Sequence, residues 1–320
     1  MILTNDQIRS IAFGTVAIRE EERGLRFMKC TDAQIEESLL RSPMHGNLSG
    51  SASGARLDFY TDSTYLSFDA SGDSRYEVML DNLFFGQYDL KGYHERGERV
   101  EITLPEGEKR VTFIFPNFGS GAWLKYFELS DGAYFRPHVY DRKIYFYGDS
   151  ITQGYNGKYN FTSFTHALSR KYNADILVNG VGGWFLNPKY VDKVPFEPDT
   201  VIIACGTNDW NRFKTPEDMR ENTRGCMDNL KALFPNAQFF VLSPLWRKDT
   251  EEPVRPMGPF SLACDIVKEE AVAHGFNLLD GYTLVPHDPD FFGDARLHPN
   301  DIGFMVYTER ICAVLDKYMK

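Results

Sequence analysis

From Tyr140 to the C-terminus five short apolar runs, KIYFY, DILVN, TVIIAC, QFFVLS and FNLLD, alternate with longer amphipathic stretches. No other feature restricts the chain so strongly. A strand followed by a helix, repeated five times, predicts an α/β unit built on about five parallel strands, because only a crossover helix returns the chain to start the next strand in the same direction. The stretches between carry helix punctuation. Thr215-Pro216-Glu217-Asp218 offers an N-cap, a proline at the first helical position and an acidic residue at the third, ahead of Met219, Leu230 and Leu233. Phe161, Phe164, Leu168 and Tyr172 share one helical face, Gly275 stops the helix that runs through Ala271 and His274, and a last helix is expected from about Pro299 to Tyr318. The connection after the second strand is expected to be shorter or less regular.

The residues before Tyr140 follow a different period. Between about 55 and 130 the runs ARLDFY, TYLSFDA, YEVMLDN, RVEITL, RVTFIF and WLKYFEL alternate apolar with polar residues, with turn-forming clusters such as Asp73-Ser74 and Glu106-Gly107-Glu108 between runs. That spacing predicts an antiparallel β-sandwich of jelly-roll-like type. Residues 31–41 look like one short helix, and NLSGSASGA after them like a flexible loop. At 320 residues the chain exceeds one typical domain. The expected division is a β-sandwich domain over 1–139 and a catalytic α/β domain over 140–320.

Composition removes several function classes. The net charge is −10 and no lysine or arginine run interrupts it, which disfavours nucleic acid as a partner. No stretch approaches the ~20 apolar residues of a membrane span, and MILTNDQIRS lacks the basic start and apolar core of a signal peptide, so the expectation is a cytoplasmic protein with no membrane partner. Cys30, Cys205, Cys226, Cys264 and Cys312 are odd in number and form no CxxC pair, so neither a disulfide framework nor a zinc site is indicated. His45, His94, His138, His166, His274 and His287 read as scattered surface or core residues rather than a metal cluster. The 17 Tyr and 25 Phe are assigned to core packing before any sugar-binding surface.

In an open parallel sheet ligands bind beyond the carboxyl ends of the strands. There the sequence places Gly148-Asp149-Ser150-Ile151-Thr152 after the first strand, Asn179-Gly180-Val181-Gly182-Gly183 after the second and Gly206-Thr207-Asn208-Asp209 after the third. The last strand leads to Asp294-Ala295-Arg296-Leu297-His298-Pro299-Asn300, which puts a histidine on the same rim. Taken singly, Ser150 reads as a helix cap, the glycines as a tight turn and Asn208 as an Asx-turn residue. Together they supply what acyl transfer needs: a hydroxyl, a base to take its proton, and donors for the developing oxyanion. The glycines do not form GxGxxG, since Phe185 takes the last place, no GK[ST] follows them, and Thr152 stands where a G-x-S-x-G elbow needs its second glycine.

GDSIT, NGVGG, GTND and HPND resemble the four sequence blocks of the SGNH (GDSL) hydrolase family, over about residues 141–320. The resemblance implies a flavodoxin-like three-layer α/β fold and assigns roles. Ser150 is the nucleophile and a backbone N–H donor, Gly183 a second donor, the Asn208 side chain a third, and His298 the general base. Gly183 is preferred to its neighbour Gly182 because GVGG aligns with the family's G-x-x-G. The family's closing block is D-x-x-H, yet here Ala295 stands three residues before His298 and Asp294 four. Asp294 is the only carboxylate in GDARLHP, and a loop with one extra residue would bring it to the imidazole Nδ1. The alternative is a Ser–His dyad in which a backbone carbonyl accepts the Nδ1 proton.

The implied activity is hydrolysis of short-chain esters, acetyl first, through an acyl-serine intermediate and without a metal or organic cofactor. A β-sandwich ahead of an SGNH domain resembles the arrangement of some carbohydrate acetylesterases, so a carbohydrate ester is the expected small-molecule substrate. A lipid or thioester acyl hydrolase is the enzymatic alternative. A carbohydrate-binding protein with a vestigial hydrolase domain is the alternative of another class. The oligomeric state is not legible.

Overall fold

A computed structural model describes residues 1–72, 75–250 and 255–319; the turn expected at Asp73-Ser74 lies outside the described residues. The five apolar runs form one parallel sheet. Its order is Ala174–Gly180, Arg142–Gly148, Thr200–Ala204, Gln238–Leu242 and Asn277–Leu279, that is, second, first, third, fourth, fifth. The order reverses beside the first strand, which opens a crevice at the carboxyl ends. Gly148 pairs level with Gly180 on one side and Ala204 on the other, so three strand ends, and the loops that leave them, meet at one rim.

Alternate residues of the first strand serve the two layers that cover the sheet. Ile144 and Phe146 pack with Phe164, Leu168, Phe304 and Ile311 of the helices Phe164–Lys171 and Asp301–Leu315. Tyr145 and Tyr147 pack with Met219, Met227, Leu230 and Phe260 of the helices Pro216–Leu233 and Phe260–Ala273. The result is the three-layer flavodoxin-like arrangement. Thr215 Oγ1 accepts the Asp218 N–H at the start of Pro216–Leu233, and Gly275 ends the next helix at φ +73°. The second strand is followed only by the 3₁₀ turn Pro188–Tyr190. The last helix starts two residues later than expected, because Asn300 is its N-cap: the Asn300 Oδ1 accepts the Gly303 N–H at 2.9 Å, which leaves His298 and Pro299 outside the helix.

The sandwich pairs a six-stranded with a five-stranded antiparallel sheet. All six alternating runs form strands, joined by Ala12–Phe13, Ala17–Glu21, Gly24–Met28, Leu83–Asp89 and Phe135–Pro137, which the pattern does not reveal. Leu83–Asp89 is exposed or half-buried throughout, so no alternation marks it. Phe59, Phe68, Tyr76, Phe113 and Phe127 interlock between the sheets, with Phe68 and Phe113 edge-to-face at 4.7 Å.

One expectation needs correcting. NLSGSASGA is not a flexible loop: Asn47, Leu48 and Ser49 end a helix over Pro43–Ser49, capped by Ser42, and residues 50–55 are buried. Leu48 packs on the α/β core, and a Cβ at Gly54 would come within 2.6 Å of Val178. These residues are small because the segment is pressed between the sandwich and the parallel sheet. Among the described residues no helix is long and apolar enough to cross a membrane, and all five cysteines are free and buried.

Candidate active site

Ser150 opens the four-residue helix Ser150–Gln153 directly beyond the first strand. The cap of that helix is Asp149, whose Oδ1 accepts the Ile151 N–H at 2.9 Å, so the Ser150 hydroxyl is not engaged in capping. It points instead at His298, with Oγ 2.9 Å from Nε2. The turn admits little else at Gly148, where a Cβ would meet Thr152 Oγ1 at 2.0 Å and Ala204 O at 2.6 Å.

The far nitrogen of His298 is held by a carboxylate. His298 Nδ1 lies 2.7 Å from Asp294 Oδ2, while Asp294 Oδ1 accepts the backbone N–H groups of Arg296, Leu297 and His298 at 3.0, 2.8 and 3.1 Å. The extra residue of the loop is absorbed at Ala295, which sits in the left-handed region at φ +54°. A non-glycine residue there costs about 1 kcal/mol or more, offset here by the four hydrogen bonds that the turn gathers on one carboxylate. Burial works to raise Asp294, but the Leu297 N–H, the imidazole and the His298 N–H hold it down to about 2. Burial pushes His298 below the ordinary imidazole value, and Asp294 offsets part of that. His298 is therefore a neutral acceptor near neutral pH, with its tautomer fixed by Asp294.

The two residues expected to serve as oxyanion donors lie on the next two loops. Gly183 is at φ +74°, and among the described residues its N–H meets no acceptor. The N–H of Gly182, by contrast, is donated to Gln153 Oε1 at 2.8 Å, so the neighbouring glycine is committed elsewhere. Asn208 Nδ2 donates one hydrogen to Trp184 O at 2.8 Å, which aims the amide and leaves its second hydrogen for another acceptor. Asp209 Oδ1 takes the Leu186 N–H at 3.0 Å and ties the two loops together; burial pushes both Asp209 and Asp149 up to about 7. Ser150, His298 and Asp294 are thus linked by hydrogen bonds, and Gly183 and Asn208 lie on the loops that leave the two strands flanking the first.

Other neighbours carried no signal in the sequence. His45 packs beside the glycine turn: its ring lies edge-on to Trp184, Ser42 Oγ is 2.8 Å from its Nδ1, and a Cβ at Gly183 would come within 3.0 Å of its Nε2. Tyr155, 45% exposed, stands edge-on to the His298 ring at 4.7 Å, and Phe118 of the sandwich stands edge-on to Tyr155 at 5.3 Å. Among the described residues no three His, Cys, Asp or Glu side chains gather as a metal-ligand set.

Residues 146–305, half of the chain, match the model of the GDSL-like lipase/acylhydrolase family. The chain belongs to that family. It is 25% identical over 260 residues to an acetylxylan esterase of Xylanibacter ruminicola, covering 65% of this chain and 52% of that one, so it spans about half the length of the curated relative it matches. Two solved structures share its fold from end to end. The salicylyl-acyltransferase SsfX3 of a tetracycline biosynthetic pathway superposes with a TM-score of 0.81 at 17% identity, covering 100% of this chain and 98% of that one. An acetyl xylan esterase, Est2A, from Butyrivibrio proteoclasticus does so with 0.65 at 14%, covering 99% and 98%.

Proposed function

We propose that this family member is a serine esterase that removes short acyl groups, acetyl first, from carbohydrates. The observation that carries the reading is the relay from Ser150 Oγ to His298 Nε2 at 2.9 Å and from His298 Nδ1 to Asp294 at 2.7 Å. Ser150 Oγ attacks the ester carbonyl as its proton passes to His298 Nε2. The negative oxygen of the tetrahedral intermediate is received by the N–H groups of Ser150 and Gly183 and by the Asn208 amide. His298 then gives the proton to the leaving alcohol, and acyl-Ser150 remains. Water attacks this ester, surrenders a proton to His298, and the free acid leaves as Ser150 regains its hydrogen. Protons and electrons balance with water alone, so no cofactor enters the cycle.

The alcohol must sit against His298 to receive its proton, and the exposed Tyr155 ring borders that side, which suits the apolar face of a sugar. The name of the acetylxylan esterase relative agrees with a carbohydrate ester. In this reading residues 1–139 form the sandwich unit and 140–320 the catalytic unit. The test is hydrolysis of an aryl acetate and of an acetylated xylo-oligosaccharide. Ser150→Ala should lose roughly 10⁴-fold or more in kcat on both, with an unchanged melting temperature. Wild-type-like turnover in that variant would sink the assignment, and faster turnover of octanoyl than of acetyl esters would favour a lipid acyl hydrolase.

A further inference from the structure

We propose that Gln153 is a positioning residue through which the sandwich sets the oxyanion turn. Its side chain, 1% exposed, lies three residues after Ser150 on the same short helix and makes three hydrogen bonds. Oε1 accepts the Gly182 N–H at 2.8 Å, and Nε2 donates to Ser51 Oγ and to Asn117 O, each at 2.9 Å. The amide orientation is not ambiguous, because the Gly182 N–H can only donate and the Asn117 carbonyl can only accept. Gln153 therefore ties together the nucleophile helix, the glycine turn and two separate segments of the N-terminal half.

The placement on Gly182 has two consequences for Gly183. The neighbouring N–H is taken, so of the two glycines it is Gly183 whose N–H meets no acceptor among the described residues. The residue before Gly183 is also held at its own nitrogen, one peptide unit away, which limits how the turn that carries the Gly183 N–H can move. A second tie from the same half acts on the strand that feeds the turn: buried Lys29 donates to Gly180 O at 2.5 Å and to Ser53 Oγ at 2.9 Å. A small displacement of a donor lowers the rate without weakening ground-state binding, because the oxyanion exists only in the transition state.

The proposal rests on the esterase reading for its kinetics but not for its geometry, and the experiment separates the two. Gln153→Met keeps the length and apolar volume of the side chain and removes all three hydrogen bonds; Gln153→Glu keeps the acceptor for Gly182. Amide hydrogen exchange at Gly182 should quicken roughly tenfold or more in Gln153→Met and stay near wild type in Gln153→Glu. With an aryl acetate, kcat should fall roughly 10- to 100-fold in Gln153→Met, KM should stay within about twofold, and Gln153→Glu should retain most of the rate. A melting temperature that drops while kcat stays within about twofold would overturn the proposal, as would unchanged exchange at Gly182. Should Gln153→Met fail to fold, Ser51→Ala replaces it with an expected severalfold fall in kcat, and an unchanged kcat and exchange there would count against the proposal equally. A wild-type chain without esterase activity would sink the functional reading, and exchange at Gly182 would still decide whether Gln153 holds the turn.

Discussion

The two halves of the molecule meet at the same rim and contribute opposite kinds of residue. The parallel sheet delivers Ser150, Gly183, Asn208 and His298, each with a proton, a lone pair or an N–H left over after its structural bonds are counted. The N-terminal half delivers Lys29, Ser51 and Asn117, which are buried and hydrogen-bonded to the strand end and the short helix that carry the first group. On the proposed reading, chemistry is local to loops leaving adjacent strands, while their geometry is set from the other half. Removing a residue of the first kind should cost rate with little change in stability. Removing one of the second kind should cost both, and rate less.

Asp294→Asn applies the strongest test. It spares the shape of the loop but replaces the carboxylate that fixes the His298 tautomer, so kcat should fall by roughly 10² to 10⁴. The sign of the pH effect is also set. Asp294 raises His298 against the lowering effect of burial, so in the variant the acid limb of kcat/KM should move to lower pH. Asp294 itself is depressed to about 2, so it stabilises the fold above its unfolded value near 3.8 and ceases to as pH falls toward 2; the two proteins should converge in stability there. A loss below about fivefold would leave a Ser–His dyad. Asn208→Ala comes next: one lost oxyanion donor should lower kcat by roughly 10² to 10³ with KM little changed. A change confined to KM would make Asn208 a ground-state binding residue and erase the contrast between the two kinds.

The same contrast explains what the sequence discloses. A parallel strand buried on both faces is a run of apolar residues, and the residue after it lies at the rim by topology alone, so Ser150, Asn208 and the glycine turn could be located without coordinates. Gly183 could not be separated from Gly182 that way, because what separates them is the side chain of Gln153, an ordinary buried amide. His45, Ser51 and Asn117 are near the site only through the docking of the two halves, and no periodicity encodes that. The segment at 47–55 misleads for the same reason: small residues selected for a tight interface look like those of a loop. Asp294 stood at an unfamiliar spacing, and only the left-handed Ala295 accounts for its reach to His298.

Tyr155 belongs to both sides of the comparison, which makes it the subtlest case. It lies five residues after Ser150, and its N–H bonds the Ser150 carbonyl at 2.9 Å. The loop that follows is clamped twice: Asp301 accepts the Lys158 and Tyr159 N–H groups from the final helix, and Glu77 of the sandwich accepts those of Asn160 and Phe161. With Phe118 behind it, the ring is held beside His298 before any substrate arrives. A preset aromatic surface on the alcohol side should matter only when the alcohol is large enough to reach it. Tyr155→Ala should therefore raise KM for an acetylated xylo-oligosaccharide roughly three- to tenfold, the range expected for one ring contact, and leave kcat for a small aryl acetate within about twofold. Tyr155→Phe should behave as wild type, since the face of the ring and not the hydroxyl makes the contact. A fall in kcat on both substrates would mean that the ring holds His298 and acts as a brace. Equal KM values for the large and the small substrate across all three proteins would remove Tyr155 from substrate recognition and move the sugar elsewhere on the rim.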